Sequence, residues 1–395
     1  TSNTTRRQGI VSNVDVAPTV LEFLGVRAPD QMVGSSIRFE GEPPIDFHER
    51  YLEYRRTQPP VGVAALLLAI ASLLAGLTVL AVRRLARLRV VVAVWVLGSV
   101  GALVALQPAS LLPTFELPVV ALTFLAVAGL LTGAGLWAGR GDPFVPVAVM
   151  AGIGLAVEAL DALFGWPTGL TPLLSGGALE GVRFYGLGNS YAGIVLGGAV
   201  LVAARLSRPG VGTGLIAAAA AFAGLPFIGA DLGGGLALFA AAAIWFGLRH
   251  PVSPPATRWS LAAAIFLAGA LSLLAAHRLF PEGAPHIARA AGDGLGGVLG
   301  AFLDRLGTNL RTTAAAPAAW LALAGVPVWL VVAWRGFGPF RPPLEADPAW
   351  RDAVITLSLG AIFGYVLNDT FGMAAVAFVF VSAAMVYPAL RWNAR

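Results

Sequence analysis

The chain of 395 residues contains no cysteine and no lysine, and only 12% of its residues are charged. Without cysteine it can form neither a disulfide framework nor a thiolate metal site. Without lysine it cannot carry a nucleotide-binding loop of the GxxxxGK[ST] kind, which excludes ATP-driven transport by this chain. Only four histidines are present, which argues against a polyhistidine metal centre.

The composition is that of a membrane protein. Apolar residues make up 57% of the chain and the mean hydropathy is +0.78, whereas roughly a quarter of the residues are charged in an ordinary soluble domain. These values exclude a water-soluble globular enzyme. The net charge of +5 comes entirely from arginine, without the basic stripe on a soluble face that nucleic-acid binding requires. The expected partner is therefore the lipid bilayer, and no nucleic acid is expected.

Apolar segments follow one another from Val61 to the carboxyl terminus. At about 20 residues a span they predict an all-α polytopic membrane protein with about eleven transmembrane helices. Residues 1–58 hold 8 of the 21 acidic residues and no long apolar run, so they form a separate water-exposed segment, and residues 59–395 form the transmembrane domain. The predicted spans are 61–82, 88–106, 117–138, 143–164, 186–204, 211–229, 232–248, 259–278, 317–334, 351–367 and 371–389.

The distribution of arginine predicts the orientation, because short cytoplasmic connections carry an excess of positive charge. With eleven spans, residues 1–58 lie outside a bacterial cytoplasmic membrane and the carboxyl terminus lies in the cytoplasm. The longer outer segments 165–185 and 279–316 also carry arginine, but long segments obey the rule poorly. The cytoplasmic arginines are then Arg83, Arg84, Arg87, Arg89, Arg140, Arg205, Arg208, Arg249, Arg258, Arg335, Arg341, Arg351, Arg391 and Arg395. The short outer connections without arginine are 107–116, 229–232 and 367–371.

Residues 285–313 have the pattern of an amphipathic helix. Two placements stay open: the helix lies on the outer membrane interface, or it is a short cap that packs across the bundle. Both place it outside the membrane core. The apolar residues at helical spacing are Leu295, Leu299, Phe302, Leu303, Leu306 and Leu310.

The water-exposed segment contains a predicted short helix. Pro18 suits a first helical turn and Gly25 suits the residue after a helix end. A strand from Ile10 to Val14 is expected to precede this helix. Asp15 lies between the two and is expected to have a structural role and not to bind a metal ion.

Residues 9–37 resemble the carboxyl-terminal end of alkaline-phosphatase-superfamily domains. There a pattern like D-x-A-P-T-x-L-x-x-L-G closes the α/β domain and a G-x-S-[LI] element follows, as Gly34 to Ile37 do here. The match covers about 30 residues. Its residues are Asp15, Ala17, Pro18, Thr19, Leu21, Leu24 and Gly25.

The resemblance implies that this segment is a short extracytoplasmic α/β remnant fused to the membrane domain. In that superfamily the nucleophile and nearly all metal ligands lie upstream of the closing segment, so no catalytic residue is carried over onto this chain. The chain alone is not expected to be a hydrolase or to hold a cofactor. A divalent metal is expected only in an upstream phosphatase-like domain. The chain begins at Thr1 without methionine or the apolar core of a signal peptide, so we expect a fragment or a processed product.

Polar side chains stand in or beside the predicted spans at four places. A charged group at the centre of a span costs roughly 2.5–3.5 kcal/mol, so each one requires a reason. The predicted topology puts all four places on the outer side, where they would line one polar cavity. Arg183 would offer a planar guanidinium to a phosphate or carboxylate. The candidate substrate-binding residues are Arg183, Tyr185, Asn189, Asp231, His286, Arg289, Asn368 and Asp369.

A structural interpretation of these residues stays open. Asp and Asn in short glycine-rich turns cap helices, and Arg183 would pair with Glu180 or Asp231. Glu158 and Asp161, three residues apart, contribute to the cavity or, as we expect, mark the outer end of the fourth span.

The GxxxG pairs Gly193–Gly197 and Gly229–Gly233 predict close helix packing.

The favoured interpretation is the membrane domain of an alkaline-phosphatase-like cell-envelope protein with an outward-facing cavity for an anionic or lipid-linked substrate. One alternative is a secondary transporter in which Asp231 and Asp369 carry protons or Na⁺. Another is a glycan transferase, because the layout of residues 183–192 and 229–235 is similar to the R-x-x-G-x-x-x-N-P-N and G-S-R-G elements of O-antigen ligases and polymerases. Here Asn189-Ser190-Tyr191 replaces N-P-N, and Asp231 stands where that family has arginine. A fourth possibility is that the membrane domain only anchors an outer catalytic domain.

Overall fold

The chain is mainly helical over the residues that the computed structural model describes, which are 1–29, 32, 34–39, 47–178, 184–280, 294–368 and 370–394. Within these ranges it forms α-helices and short 3-10 turns and no β-strand. The helices are α1 Val16–Phe23, α2 Phe47–Ala81, α3 Arg89–Ala109, α4 Leu117–Ala138, α5 Val145–Leu163, α6 Asn189–Ala203, α7 Pro209–Gly224, α8 Leu232–Arg249, α9 Pro255–Leu279, α10 Gly294–Ala315, α11 Pro317–Arg335, α12 Arg341–Ala346, α13 Pro348–Leu367 and α14 Gly372–Trp392.

A helix lies at each of the predicted spans, which is the architecture of an all-α polytopic membrane protein. Eight of the described helices are long and apolar enough to cross a membrane, and a ninth span results if α10 and α11 count as one bent pair. Two predicted spans are shorter than expected. Helix α6 begins only at Asn189, because Gly186 has a φ of +80°, which is not helical. Helix α7 ends at Gly224, because Leu225 precedes a proline and is extended.

Helix α6 lies in the middle of the bundle and packs against α5, α7 and α14. Close approach depends on glycine: a Cβ atom added to Gly193 would lie 2.7 Å from the Met373 carbonyl oxygen, and one added to Gly197 would lie 2.7 Å from the Phe380 ring. The predicted close packing at this GxxxG pair is confirmed. Helices α2, α4 and α9 bury much less of their surface than α3 and α14, as expected of helices on the outside of a bundle.

The connections gather at two ends of the bundle. One end, which we call the amino end, holds the described residues of the amino-terminal segment (1–29, 32 and 34–39) and the connections after α3, α5, α7 and α13. Three contacts join these connections: Trp166 Nε1 donates to the Ile228 carbonyl at 3.1 Å, the Thr171 hydroxyl to the Ser110 carbonyl at 3.3 Å, and Asn189 Nδ2 to Thr370 Oγ1 at 3.0 Å. Several of the polar residues that are predicted to lie on one side of the membrane therefore lie together at the amino end of the bundle.

The carboxyl end holds the connections after α2, α4, α6, α8 and α11 and the end of α14. Arg89 donates to the Asn393 carbonyl, and Arg205 forms an ion pair of 2.6 Å with Asp347. Arg249 lies 3.3 Å from Asp352. The arginine-bearing short connections thus lie together, as the sequence predicts, and several of their charges are paired across helices.

The amino-terminal segment is a folded unit without the predicted strand. The helix is confirmed as α1, and Gly25 follows it with φ +69°. The strand from Ile10 to Val14 is wrong: residues 10–12 are irregular and Asn13–Asp15 form a 3-10 turn. No strand lies beside this stretch among the described residues, and a strand needs a neighbour for its backbone hydrogen bonds.

Asp15 joins the two halves of the segment. Its carboxylate accepts hydrogen bonds from the Ser2 hydroxyl at 2.8 Å and from the backbone N–H groups of Ser12 and Ser35, each at 2.9 Å. Burial raises the pKa of Asp15, but the hydrogen bonds from Thr4, Ser35, Ser12 and Ser2 lower it and hold it below its ordinary value. The role of Asp15 in the described structure is structural, as the sequence predicts.

The amino-terminal segment should loosen in acid. Because the folded-state pKa of Asp15 lies below its unfolded value, its contribution to stability is present above the unfolded pKa, about 3.9, and is lost as the pH falls through the folded value. We expect hydrogen exchange at the amides of Ser12 and Ser35 to quicken when the pH falls from neutral to about 3, after correction for the intrinsic rate. In Asp15→Asn the corrected exchange should be fast already at neutral pH. An unchanged protection at acid pH would contradict this role.

Helix α10 crosses the amino end of the bundle. Its part from Leu303 is bent by 110° from α11. Asn309 and Thr313 are buried against α13, while Leu303 and Leu310 are about half exposed, at 56% and 50%. The helix therefore packs on the bundle by its polar side, as a cap would, and turns apolar side chains outward, as an interfacial helix would. Residues 285–293 of the predicted helix lie outside the described residues.

Candidate functional site

Four of the predicted site residues, Arg183, His286, Arg289 and Asp369, lie outside the described residues, as does Glu180. The other four lie at the amino end, in two neighbouring places. The first place is where α6 and α8 begin and α13 ends, and it holds Asn189, Asp231 and Asn368. The second place is a crevice, and it holds Tyr185.

Tyr185 lies on the segment between α5 and α6. The guanidinium of Arg6 stacks over its ring at 4.1 Å from the ring centre. The next residue, Gly186, approaches the α7–α8 connection so closely that a Cβ atom would lie 2.3 Å from the Gly229 carbonyl oxygen. Leu187 donates its backbone N–H to the same carbonyl at 2.7 Å. Tyr185 is thus held in a rigid turn between two helix connections.

Asp231 and Asn368 lie where α8 begins and α13 ends. Asp231 is buried and caps α8 by accepting the Gly234 N–H at 3.1 Å. A Cβ atom added to Gly233 would lie 2.7 Å from Asn368 Oδ1, so the two turns touch. The contact of Asp231 agrees with the structural interpretation, in which Asp and Asn in glycine-rich turns cap helices.

The second place is a crevice beside the attachment point of the amino-terminal segment. Its volume is about 320 Å³ including the part open to solvent. The free space inside it has room for about one water molecule. Its walls come from α5, α6 and the segment between them. Polar lining residues include Glu158, Asp161, Thr168, Ser175, Tyr185 and Tyr191.

Glu158 lies fully buried at the inner end of this crevice. Its Oε2 atom accepts a hydrogen bond of 2.9 Å from Gln107 Nε2 on α3. Its Oε1 atom accepts no hydrogen bond from the described residues. Asp161, one helical turn further along α5, accepts two hydrogen bonds from Thr168, one from its backbone N–H at 3.2 Å and one from its hydroxyl at 2.6 Å. The two carboxyl groups therefore have different surroundings.

Arg7 fastens the amino-terminal segment to the rim of the crevice. Its Nε atom donates to the Phe184 carbonyl, and its Nη2 atom donates to the Trp166 carbonyl at 2.7 Å. Burial, the larger effect, lowers the pKa of the Arg7 guanidinium, and the nearby Asp161 carboxylate raises it. Arg7 thus brings a positive charge to the mouth of a crevice whose walls carry two carboxyl groups.

From the sequence, Glu158 and Asp161 are expected to mark the outer end of the fourth span, with a contribution to the cavity as the alternative. The structure places Glu158 in the interior, beside a polar side chain of another helix. The available signal is the combination of two carboxyl groups at i, i+3 on one helix face with Gln107 directly after another apolar span. Nothing in the sequence indicates the role of Arg7, because its partners Trp166 and Phe184 lie 159 and 177 positions further along the chain.

No known protein family, curated protein or solved structure matches this chain. Within the described part of the chain, no three carboxyl or imidazole side chains are grouped to hold a metal ion. The fold and the site define a multi-pass helical protein with a polar crevice at one end, beside which Arg7 of the amino-terminal segment is bound.

Proposed function

We propose that this chain is the membrane domain of a bacterial cell-envelope protein of alkaline-phosphatase type, and that its amino end receives the polar head group of an anionic or lipid-linked substrate. The observation that carries the proposal is the attachment of the amino-terminal segment to the crevice by Arg7. A segment that resembles the end of a phosphatase domain is thereby packed beside a crevice that buried carboxyl and tyrosine side chains line.

The proposal includes the orientation. The arginine-rich carboxyl end lies in the cytoplasm and the amino end faces outward, because positive charge is retained on the cytoplasmic side. The eleven helices at the predicted spans are proposed to lie in the membrane. Neighbouring helices shield α6 and α7 in part from lipid. Helix α10 would lie at the outer interface with Leu303 and Leu310 toward lipid. Ester hydrolysis, with its divalent metal, would belong to an upstream domain.

A direct test is lipid binding by the purified chain. We expect Arg183→Ala to weaken retention of phosphatidylglycerol about tenfold, because a charge-assisted hydrogen bond contributes about 1.5–3 kcal/mol. Retention of phosphatidylcholine should change less, because its head group carries no net charge. Native mass spectrometry of the protein in detergent, titrated with each lipid, measures both.

The matched control is Arg87→Ala, which removes an exposed arginine at the carboxyl end. It should leave retention at the amino end unchanged. If Arg183→Ala and Tyr185→Ala both retained phosphatidylglycerol and a glycolipid as the unmodified chain does, the proposed head-group site would be rejected. If Arg87→Ala reduced retention as much as Arg183→Ala, the effect would be non-specific attraction of anionic lipid.

Secondary transport is the second candidate, and one observation favours it: a fully buried carboxyl group, Glu158, lies beside an opening at one end of the bundle. The capping contact of Asp231 instead supports a structural role for that residue. Cation-driven uptake into vesicles that is abolished by Glu158→Gln would place transport first. Transfer from a polyprenyl-diphosphate donor would place glycan transfer first.

A further inference from the structure

The two carboxyl groups of α5 differ in how their charge is compensated. Asp161 accepts two hydrogen bonds from Thr168; burial, the largest effect, opposes its charged form, while Thr168, Gln107 and the Arg7 guanidinium favour it. Glu158 accepts one hydrogen bond, from the neutral amide of Gln107, and its Oε1 atom accepts none from the described residues. An ionised carboxylate is stable in a protein interior only when it is paired or well supplied with hydrogen bonds. The arrangement supplies this for Asp161 and not for Glu158.

Among the described residues, the groups that other helices bring close to Glu158 carry no positive charge. Helix α3 contributes Gln107, and helix α6 contributes the hydroxyl of Tyr191. Helix α2 brings Tyr54 to the same region, where its hydroxyl donates to the Pro172 carbonyl. The cations that the structure describes near the mouth are Arg6, whose guanidinium lies over the Tyr185 ring, and Arg7, which donates to two carbonyl groups and interacts with Asp161.

Residues i and i+3 on a helix are neighbours on one face, so two ionised carboxylates there repel each other. Pairs of carboxyl groups in unlike surroundings typically divide their roles, one ionised and one neutral. Glu158 and Asp161 both line the same crevice, which opens toward the amino end and has space for about one water molecule. The crevice is therefore the route by which a proton from water would reach Glu158.

We propose that Glu158 is a proton-binding site: its carboxyl group holds a proton beside the ionised Asp161 and exchanges it with water at the amino end through the crevice. In this exchange an O–H bond forms at Glu158 and a water-derived hydronium ion loses its proton, and the reverse step returns it. The inference does not depend on the substrate proposed above.

Infrared spectroscopy of the full chain in lipid nanodiscs tests the proposal. At neutral pH the unmodified protein should show the carbonyl stretching band of a protonated carboxylic acid, and the band should shift in D₂O because the proton exchanges. Glu158→Gln should remove the band, whereas Asp161→Asn should keep it. Glu116→Gln removes an exposed carboxyl group at the same end and serves as the matched control; it should also keep the band.

A further variant keeps the test decisive if Glu158→Gln fails to fold. Gln107→Leu removes the hydrogen bond to Glu158 and should shift the band to higher frequency without removing it. The proposal is overturned if the unmodified protein shows no such band at neutral pH, or if the band survives Glu158→Gln or is unmoved by Gln107→Leu. It is also overturned if NaCl, compared with choline chloride at the same pH, removes the band, because the site would then bind Na⁺.

Discussion

Replacing Gly197 by leucine is expected to prevent the bundle from folding, with a loss of stability of about 3 kcal/mol or more. A Cβ atom at this position would already lie 2.7 Å from the ring of Phe380. Phe380 is fully buried and has no room to move, and α6 is enclosed by its neighbours over most of its length. Since interiors are close-packed, the extra side chain must push α6 and α14 apart. The yield of monodisperse protein and its thermal unfolding in detergent measure the effect.

Gly133→Leu is the matched control. Gly133 also lies within an apolar helix, but nothing lies within 4 Å of a Cβ atom built there. Leucine at this exposed position of α4 should leave the unfolding temperature unchanged or raise it slightly, because leucine is a better helix former than glycine. If Gly197→Leu unfolded at the same temperature as Gly133→Leu, α6 and α14 would not be in close contact.

The helices were predictable because the length of an apolar run carries the information directly. About 20 apolar residues between polar connections can form little else in a membrane, and each predicted span is a helix. The strand at Ile10–Val14 failed for the opposite reason. Alternation of side chains favours a strand only if another strand lies beside it, and the chain instead turns at Ser12 to reach Asp15.

The candidate site was predictable in part. The arginine distribution and the alternating direction of successive spans predict that Asn189, Asp231 and Asn368 lie at one end. The structure has them at one end. Their partners were not predictable, because the sequence does not tell which helix faces meet. Gln107 and Glu158 are 51 residues apart and belong to different helices. The packing of α3 against α5 brings the two side chains together and buries Glu158, which the sequence places at the end of a span.

Asn309→Leu is expected to release α10 from the end of the bundle. The last carbonyl groups of a helix have no partner inside the helix, and Asn309 Nδ2 donates to two such groups at the end of α13, the carbonyls of Tyr365 at 2.6 Å and Asn368 at 2.5 Å. Leucine would remove both hydrogen bonds and leave buried carbonyl groups without these donors. The cost should be about 2–4 kcal/mol. Hydrogen exchange along Leu303–Ala315 measures the release.

Thr308→Ala separates this effect from a general loss of helix stability. Thr308 is exposed, and its hydroxyl donates to the Asp304 carbonyl within α10. The variant should exchange as the unmodified chain does, while Asn309→Leu should exchange in α10 at least tenfold faster, since about 1.4 kcal/mol corresponds to a factor of ten. Slow exchange in Asn309→Leu would mean that contact with lipid through Leu303 and Leu310 holds α10 in place. The polar side of the helix would then contribute orientation but not attachment.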